Sequence, residues 1–391
     1  MIYKDFKGKK LSLLGFGTMR LPQNADGSVN IELTREMTDY CIQNGVNYFD
    51  TAVPYHGGHS ERIIGEILSH YPRDSYYLAT KFPGHQILPK YDPEEIFEMQ
   101  LRKCGVDHFD FYLLHNVYEN SLATYFDPKW GIMEYFAEQK KKGRIGHLGF
   151  STHGGMEVIE AFLARYGEMM EFCQLQVNYL DWTLQNAKEK YEMMQKKGLP
   201  VWVMEPVRGG RLAALDAPQA DLLCAHRPDT SPAAFAFRFL QEKDNIGMIL
   251  SGMSDMAQIK ENIETFRERA PLSEAETQTL VAIAELMKDS VPCTACRYCV
   301  DGCPMEMDIP MFLSIYNELK VLPSVNASMR IEALPPEKQP SACISCGACS
   351  AICPQKIDIP QKLAHLTELL QNMPTWAAIS AQRAKEMEQT K

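Results

Sequence analysis

Eight short apolar runs, each followed by a stretch of helical periodicity, recur along the chain, and this alternation limits the fold more than any other feature. Strands are expected near 11–16, 47–50, 76–81, 109–114, 145–150, 173–177, 200–204 and 246–250. Helices are expected near 33–44, 60–69, 93–103, 129–142, 155–165, 185–196, 232–242 and 256–265. Asp92-Pro93 and Ser231-Pro232 set a capping residue before a proline, as helix starts do. Gly45, Gly105, Gly143 and Gly198 fall where helices stop. Leu11–Thr18 reads as one strand behind a charged N-terminal turn. Eight strand–helix units fit a closed α/β fold, the parallel (β/α)8 TIM barrel. The alternative, a doubly wound open sheet, would carry a glycine-rich fingerprint after its first strand. Gly15-Phe16-Gly17, followed by Met19 and Arg20, is only a fragment of that pattern, so the barrel is preferred.

The chain has 391 residues, 45% of them apolar, enough for one large domain and a smaller one. A net charge of −10 argues against nucleic acid or an anionic membrane as partner. No apolar run approaches the roughly 18 residues of a spanning helix, and Met1–Lys7 lacks the apolar segment of a leader, so a cytoplasmic location is expected. Twelve cysteines are present, and eight fall between Cys293 and Cys353. The remaining four, Cys41, Cys104, Cys173 and Cys224, read as small buried hydrophobes.

The eight form two runs, Cys293-x-x-Cys296-x-x-Cys299-x-x-x-Cys303-Pro304 and Cys343-x-x-Cys346-x-x-Cys349-x-x-x-Cys353-Pro354. This is the spacing of two-cluster bacterial ferredoxins, in which the fourth cysteine of each run serves the other cluster. One [4Fe–4S] centre is expected on Cys293, Cys296, Cys299 and Cys353, the other on Cys343, Cys346, Cys349 and Cys303. The segment Cys303–Pro310 also repeats as Cys353–Pro360, an internal duplication. Four-coordinate zinc needs neither the third close cysteine nor the fourth before proline, which argues against it. The clusters would carry single electrons or simply pin the domain, since ligation is itself folding energy. Patterning changes near Ala270–Ser273. We therefore expect a barrel over 1–272, a connecting helix (about 273–288) with a ferredoxin-like two-cluster domain over 273–365, and a C-terminal helix or tail over 366–391.

Three of the strand-like runs close on polar groups: Asp50, Lys81 and His115, with Tyr55 just beyond the first. Barrels of this kind build active sites from such strand ends. A carboxylate, a phenol, an ammonium and an imidazole at one mouth make a proton-transfer set. Residues 116–128, holding Tyr118, Tyr125 and Phe126 with Trp130 just after, would form either an aromatic wall over that mouth or the packing of a long loop.

Asp50-Thr51-Ala52-x-x-Tyr55, Gly58-His59-Ser60-Glu61, Thr80-Lys81, Leu114-His115 and Ile145–Ser151, in this order over roughly residues 10–270, resemble the aldo-keto reductases, and the cysteine runs resemble their iron–sulfur branch. The resemblance implies hydride transfer to an aldehyde or ketone, or the reverse oxidation of an alcohol. Tyr55 would be the general acid/base, Lys81 would lower its pKa, Asp50 would hold Lys81, and His115 would orient the carbonyl oxygen. It further implies that Ser151, Gln176 and Asn178 meet a nicotinamide carboxamide. Glu205, Arg208, Gly209 and Gly210 would cradle phosphates. Ser251, Gly252, Ser254, Gln258, Glu261 and Asn262 would meet the adenosine.

Met204 stands where the family often stacks an aromatic ring on the nicotinamide, and Gly252 and Gln258 stand where NADP-specific members are basic. NADP(H) and NAD(H) both remain open, and FMN is a third candidate that would couple one-electron clusters to two-electron chemistry. His56, His59, His85, His147 and His153 have no such support and read as loop or packing residues. Substrate contacts are expected from residues 83–91, 116–130 and 208–231. A small carbonyl or alcohol substrate is expected, with a ferredoxin or similar electron donor as a candidate partner, and a dimer is compatible with the surface. A non-catalytic electron-transfer or redox-sensing protein is the competing reading; it needs neither the phenol nor the lysine.

Overall fold

A computed structural model describes residues 1–287, 291, 293, 295, 297–321, 323–353 and 355–389, with the backbone alone at 298 and 301. Ten strands are formed among them: β1 Tyr3–Phe6, β2 Lys9–Ser12, β3 Leu14–Gly17, β4 Tyr48–Asp50, β5 Tyr77–Phe82, β6 Phe109–Leu114, β7 Ile145–Thr152, β8 Cys173–Gln176, β9 Val201–Met204 and β10 Ile246–Gly252. β3 to β10 pair in parallel and close into a barrel, with β10 between β9 and β3. Parallel closure puts all eight C-terminal strand ends on one rim.

Leu11–Thr18 is not one strand. β1 and β2 form an antiparallel hairpin, and the chain turns at Leu13 before β3 joins the barrel. The turn is held by side chains the pattern does not reveal: Ser12 Oγ donates to Leu14 O at 2.8 Å, and Asn47 Oδ1 accepts from the Ser12 amide at 2.8 Å. The hairpin closes the opposite end of the barrel. Phe6 and Leu11 are buried with Tyr48, Phe111, Phe172 and Trp202, the Phe6 ring standing 5.0 Å from the Trp202 ring. Each fully buried aromatic or aliphatic side chain here contributes about 1.5–3 kcal/mol.

The helices start where their caps lie. Asp92 Oδ1 accepts from the Glu95 amide at 3.0 Å, and Ser231 Oγ accepts from the Ala234 amide at 3.1 Å. Helix Pro93–Cys104 ends on Gly105 at φ +65°, a conformation only glycine adopts cheaply. Residues 119–126 are helical rather than a loop; Tyr125 is buried in the barrel wall, while Tyr118 packs on Met329 and Trp376. Cys41, Cys104 and Cys173 are buried; Cys224, against expectation, is exposed at the end of helix Ala217–Cys224.

After helix Glu274–Met287 the cysteine module builds its own core on Phe312, Leu313, Leu319, Leu363 and Leu366. Its duplication extends to the backbone. Ala295, Arg297 and Glu306 have left-handed φ, and so do Ser345, Gly347 and Lys356, their counterparts fifty residues on. Helices Ile309–Val321 and Ile359–Gln371 stand at the same offset. A further helix, Trp376–Gln389, returns to the barrel mouth and buries Met387 in the barrel core. No helix among the described residues is long and apolar enough to cross a membrane.

Candidate active site

Asp50 ends β4, Lys81 is next to last in β5, His115 follows β6, and Tyr55 opens a short 3-10 turn just beyond Asp50. Because these strands are parallel neighbours, the four side chains meet at one rim. Lys81 Nζ donates to Asp50 Oδ1 at 2.6 Å, to the Thr51 carbonyl at 2.8 Å and to the Tyr55 hydroxyl at 3.4 Å. The Tyr55 and His115 rings meet edge to face, 6.1 Å apart.

Burial alone would depress the Lys81 pKa, but Asp50 and Tyr55 together more than offset it and the amine stays charged. Burial raises the Asp50 carboxyl, with Lys81 pulling against it. Tyr55 departs from expectation in direction. Lys81 does lower its phenol, yet burial is the larger effect and the net shift is upward. Tyr55 therefore rests protonated, and Lys81 is placed to stabilise the phenolate once a proton leaves. His115 is driven well below the ordinary imidazole value by burial, then by His85, Lys81 and Arg383, so it is neutral.

A buried network holds this set from behind. Thr80 Oγ1 and Gln100 Nε2 both donate to Glu61 Oε1, at 2.6 and 2.8 Å. Gln100 Nε2 also donates to the Lys81 carbonyl at 3.0 Å, and the Tyr112 hydroxyl donates to Gln100 Oε1 at 2.5 Å. Glu61, quoted above only as part of a motif, thus fixes the strand that carries Lys81.

Asp50, Tyr55 and His115 open on a cleft of about 620 Å³ that runs across the rim, with Lys81 buried behind them. Its floor and far wall include Ser151, Gln176, Met204, Glu205, Arg208, Gly209, Gly210, Ser251, Gly252, Ser254, Gln258, Glu261 and Asn262. Asn178 does not line it. Fully buried, Asn178 Nδ2 donates to Asp181 Oδ2 at 2.6 Å and to the Glu205 carbonyl at 3.0 Å. Gln176 Nε2 donates to the same Asp181 oxygen at 2.8 Å. Arg208 reaches the cleft wall, but its Nε lies 3.4 Å from Asp181 Oδ1 and its side chain is buried. Asp181 is therefore the hub of this side, and no motif marked it. Arg20 takes the open position instead: a Cβ on Gly252 would meet its side chain at 3.2 Å, and one on Gly209 at 3.0 Å. Ser254 Oγ donates to the Arg20 carbonyl, and the Ser254 amide donates to Gln258 Oε1. Asn262 Nδ2 donates to Ser251 Oγ at 3.2 Å, and Ser151 Oγ accepts from the Asn116 amide at 2.8 Å.

Sequence reasoning missed the near wall. His85 sits 4.2 Å from the His115 ring and stacks on Trp376 at 5.6 Å. His153 lines the cleft and meets Asn326 Nδ2 through Nε2 at 3.2 Å. Trp376 and Arg383 arrive from helix Trp376–Gln389. Only their place in a distant helix brings them here, so no local signal marked them. His56, by contrast, is structural: its Nε2 accepts from the Leu21 amide at 3.1 Å.

In the module, Cys303 joins Cys343, Cys346 and Cys349 around one recess. That is one complete expected ligand set, drawn from both runs. Cys299 lies within electrostatic reach of Cys293 and Cys353, and of Cys349 from the other set. Cys296, the fourth member of the set with Cys293, Cys299 and Cys353, lies outside the described residues.

Residues 13–285 match the model of the aldo/keto reductase family, and residues 292–357 match that of the 4Fe-4S dicluster domain. The chain is 25% identical to the NADH-specific methylglyoxal reductase of Escherichia coli, over 71% of this chain and 96% of that protein. It is 24% identical to L-galactose dehydrogenase of Arabidopsis thaliana, over 72% and 92%. Among solved structures, the holo form of aldo-keto reductase AKR11C1 from Bacillus halodurans aligns with a TM-score of 0.56 at 25% identity, covering 71% of this chain and 93% of that one. An aldo-keto reductase from Klebsiella pneumoniae in complex with NADPH aligns at 0.58 and 19% identity, covering 73% and 96%.

Proposed function

Starting from a chain that belongs to the aldo/keto reductase family and carries a 4Fe-4S dicluster domain, we propose that it reduces an aldehyde or ketone to the alcohol, or runs the reverse. The observation that carries this is the Lys81 ammonium bonded at once to Asp50 and to the Tyr55 hydroxyl at the cleft mouth. A nicotinamide bound in the cleft would supply the hydride to the carbonyl carbon. Tyr55 gives its phenolic proton to the carbonyl oxygen, and Lys81 stabilises the phenolate left behind. Asp50 keeps Lys81 charged and aimed. Neutral His115 donates a hydrogen bond to the same oxygen and fixes its direction.

The residues fit a dinucleotide. Gln176 and Ser151 face the cleft for a carboxamide, while Arg20 with the flexible backbone at Gly209 and Gly210 suits phosphates better than inward-turned Arg208. Both NAD(H) and NADP(H) are compatible with Gly252 and Gln258. In the module, Cys303, Cys343, Cys346 and Cys349 would hold one cluster, and Cys293, Cys296, Cys299 and Cys353 a second. Bound clusters would supply one-electron transfer or ligation energy.

The test is anaerobic purification, identification of released nicotinamide or flavin, and a carbonyl screen with NADH and NADPH. Tyr55→Phe should cut kcat about 10²- to 10⁴-fold while nucleotide affinity holds. Equal turnover in the variant would remove Tyr55 from the mechanism, and turnover of no carbonyl by the loaded wild type would leave the competing reading, a nucleotide-binding redox sensor.

A further inference from the structure

Helix Trp376–Gln389 is fixed over the barrel mouth at three points. Ser380 Oγ accepts from the Ile87 amide at 2.8 Å and donates to Gln86 Oε1 at 3.2 Å. The Trp376 amide donates to both carboxylate oxygens of Glu332, at 2.8 and 2.9 Å. Met387 is buried in the barrel core. The inner face of the helix continues the cleft wall in an unbroken series of rings: Tyr55 against His115, His115 against His85, His85 against Trp376. The Arg383 guanidinium carbon lies 5.4 Å from the Trp376 ring centroid and opens on the same cleft.

The other charges at this end are committed. Lys81 and Asp50 hold each other, and His85 and His115 are neutral. Among the described residues no acidic side chain forms an ion pair with Arg383; Glu386, one turn along, accepts from Gln382 instead. Guanidinium cannot shed its proton, and the Trp376 ring lies beside it. A fixed, partly desolvated cation faces the catalytic phenol, and Glu386 is felt there as charge without pairing with it.

Resting on the carbonyl-reductase reading of this cleft, we infer that Arg383 is a specificity-determining residue that anchors the carboxylate of an oxo-acid substrate, an aldehyde or ketone bearing a carboxyl group. The planar fork of guanidinium matches a carboxylate in two parallel bonds. One cation balances its single charge. The dianion of a phosphate ester would leave a second charge against apolar Trp376, Ile379 and Met329.

The experiment uses the full, cluster-loaded chain. Oxo acids of increasing length are compared with their methyl esters and with glyceraldehyde 3-phosphate, and binding of unreactive butanoate and butanamide is measured by calorimetry. Wild type should prefer acid to ester. Arg383→Met should lower the acid-to-ester ratio of kcat/KM about 30-fold, mainly through KM, and weaken butanoate but not butanamide. Arg383→Lys should restore part of the ratio. An unchanged ratio in Arg383→Met, or a preference for the phosphate, overturns the anchor. If no carbonyl is turned over at all, the reductase reading falls, while the butanoate measurement still decides the anchor.

Discussion

The barrel rim and the cysteine module are both collections of reactive side chains, assembled by opposite means. At the rim the protein supplies the partners of Lys81, which makes three bonds, and Glu61, Gln100 and Tyr112 brace its strand from behind. In the module, two duplicated loops with left-handed residues at matching positions gather thiols around a recess. The lysine's bonds are made by the protein itself; the thiols are gathered as ligands. The rim should therefore be sensitive to its own side chains, and the module to its metal.

Three measurements can break or sharpen that contrast. The largest effect is expected from Cys303→Ser. Structural ligation is worth on the order of 10 kcal/mol, so the variant should lose about half of its iron and acid-labile sulfide and the cooperative unfolding of the module. The barrel transition should stay; loss of both transitions together would erase the distinction. Next, Lys81→Met leaves the Asp50 carboxylate buried and unpaired, which should destabilise the barrel by about 3–5 kcal/mol in chemical denaturation. Its iron content should be unchanged. Adding Asp50→Asn should recover most of the stability, and a double variant as weak as the single one would mean that the pair is not what Lys81 serves.

The smallest effect is graded with pH. His85 and His115 are held well below the ordinary imidazole pKa, chiefly by burial, and His153 is pushed down to about 3. The folded state keeps these rings neutral, whereas the unfolded chain binds protons below about pH 6.5. Stability is thus present above pH 6.5 and falls as pH drops, by up to about 1.4 kcal/mol per pH unit for each ring. Denaturation midpoints between pH 7 and 5 should show the slope, and His153→Gln should reduce it by about one ring's share. A flat profile would show that these histidines are not kept neutral.

What could be read from the sequence was local. Strand-end residues such as Asp50 and Lys81 announce themselves because each closes a short apolar run, and the cysteine runs because their spacing is ligand geometry. The N-terminal hairpin was hidden because its turn depends on Ser12 meeting Asn47, a pair far apart in the chain. Asp181 was invisible because its value lies in the three side chains it gathers, Gln176, Asn178 and Arg208. Trp376 and Arg383 could not be placed, since a helix pattern says which face is apolar but not which cavity that face will roof. The Tyr55 phenol was judged by its charged neighbour alone; burial, a property of the whole fold, is the larger influence.

The β1–β2 hairpin, with Phe6 and Leu11 driven into the base of the barrel, acts as a stopper. With that end filled by side chains, the cleft lies at the opposite rim, and helix Trp376–Gln389 stands over it.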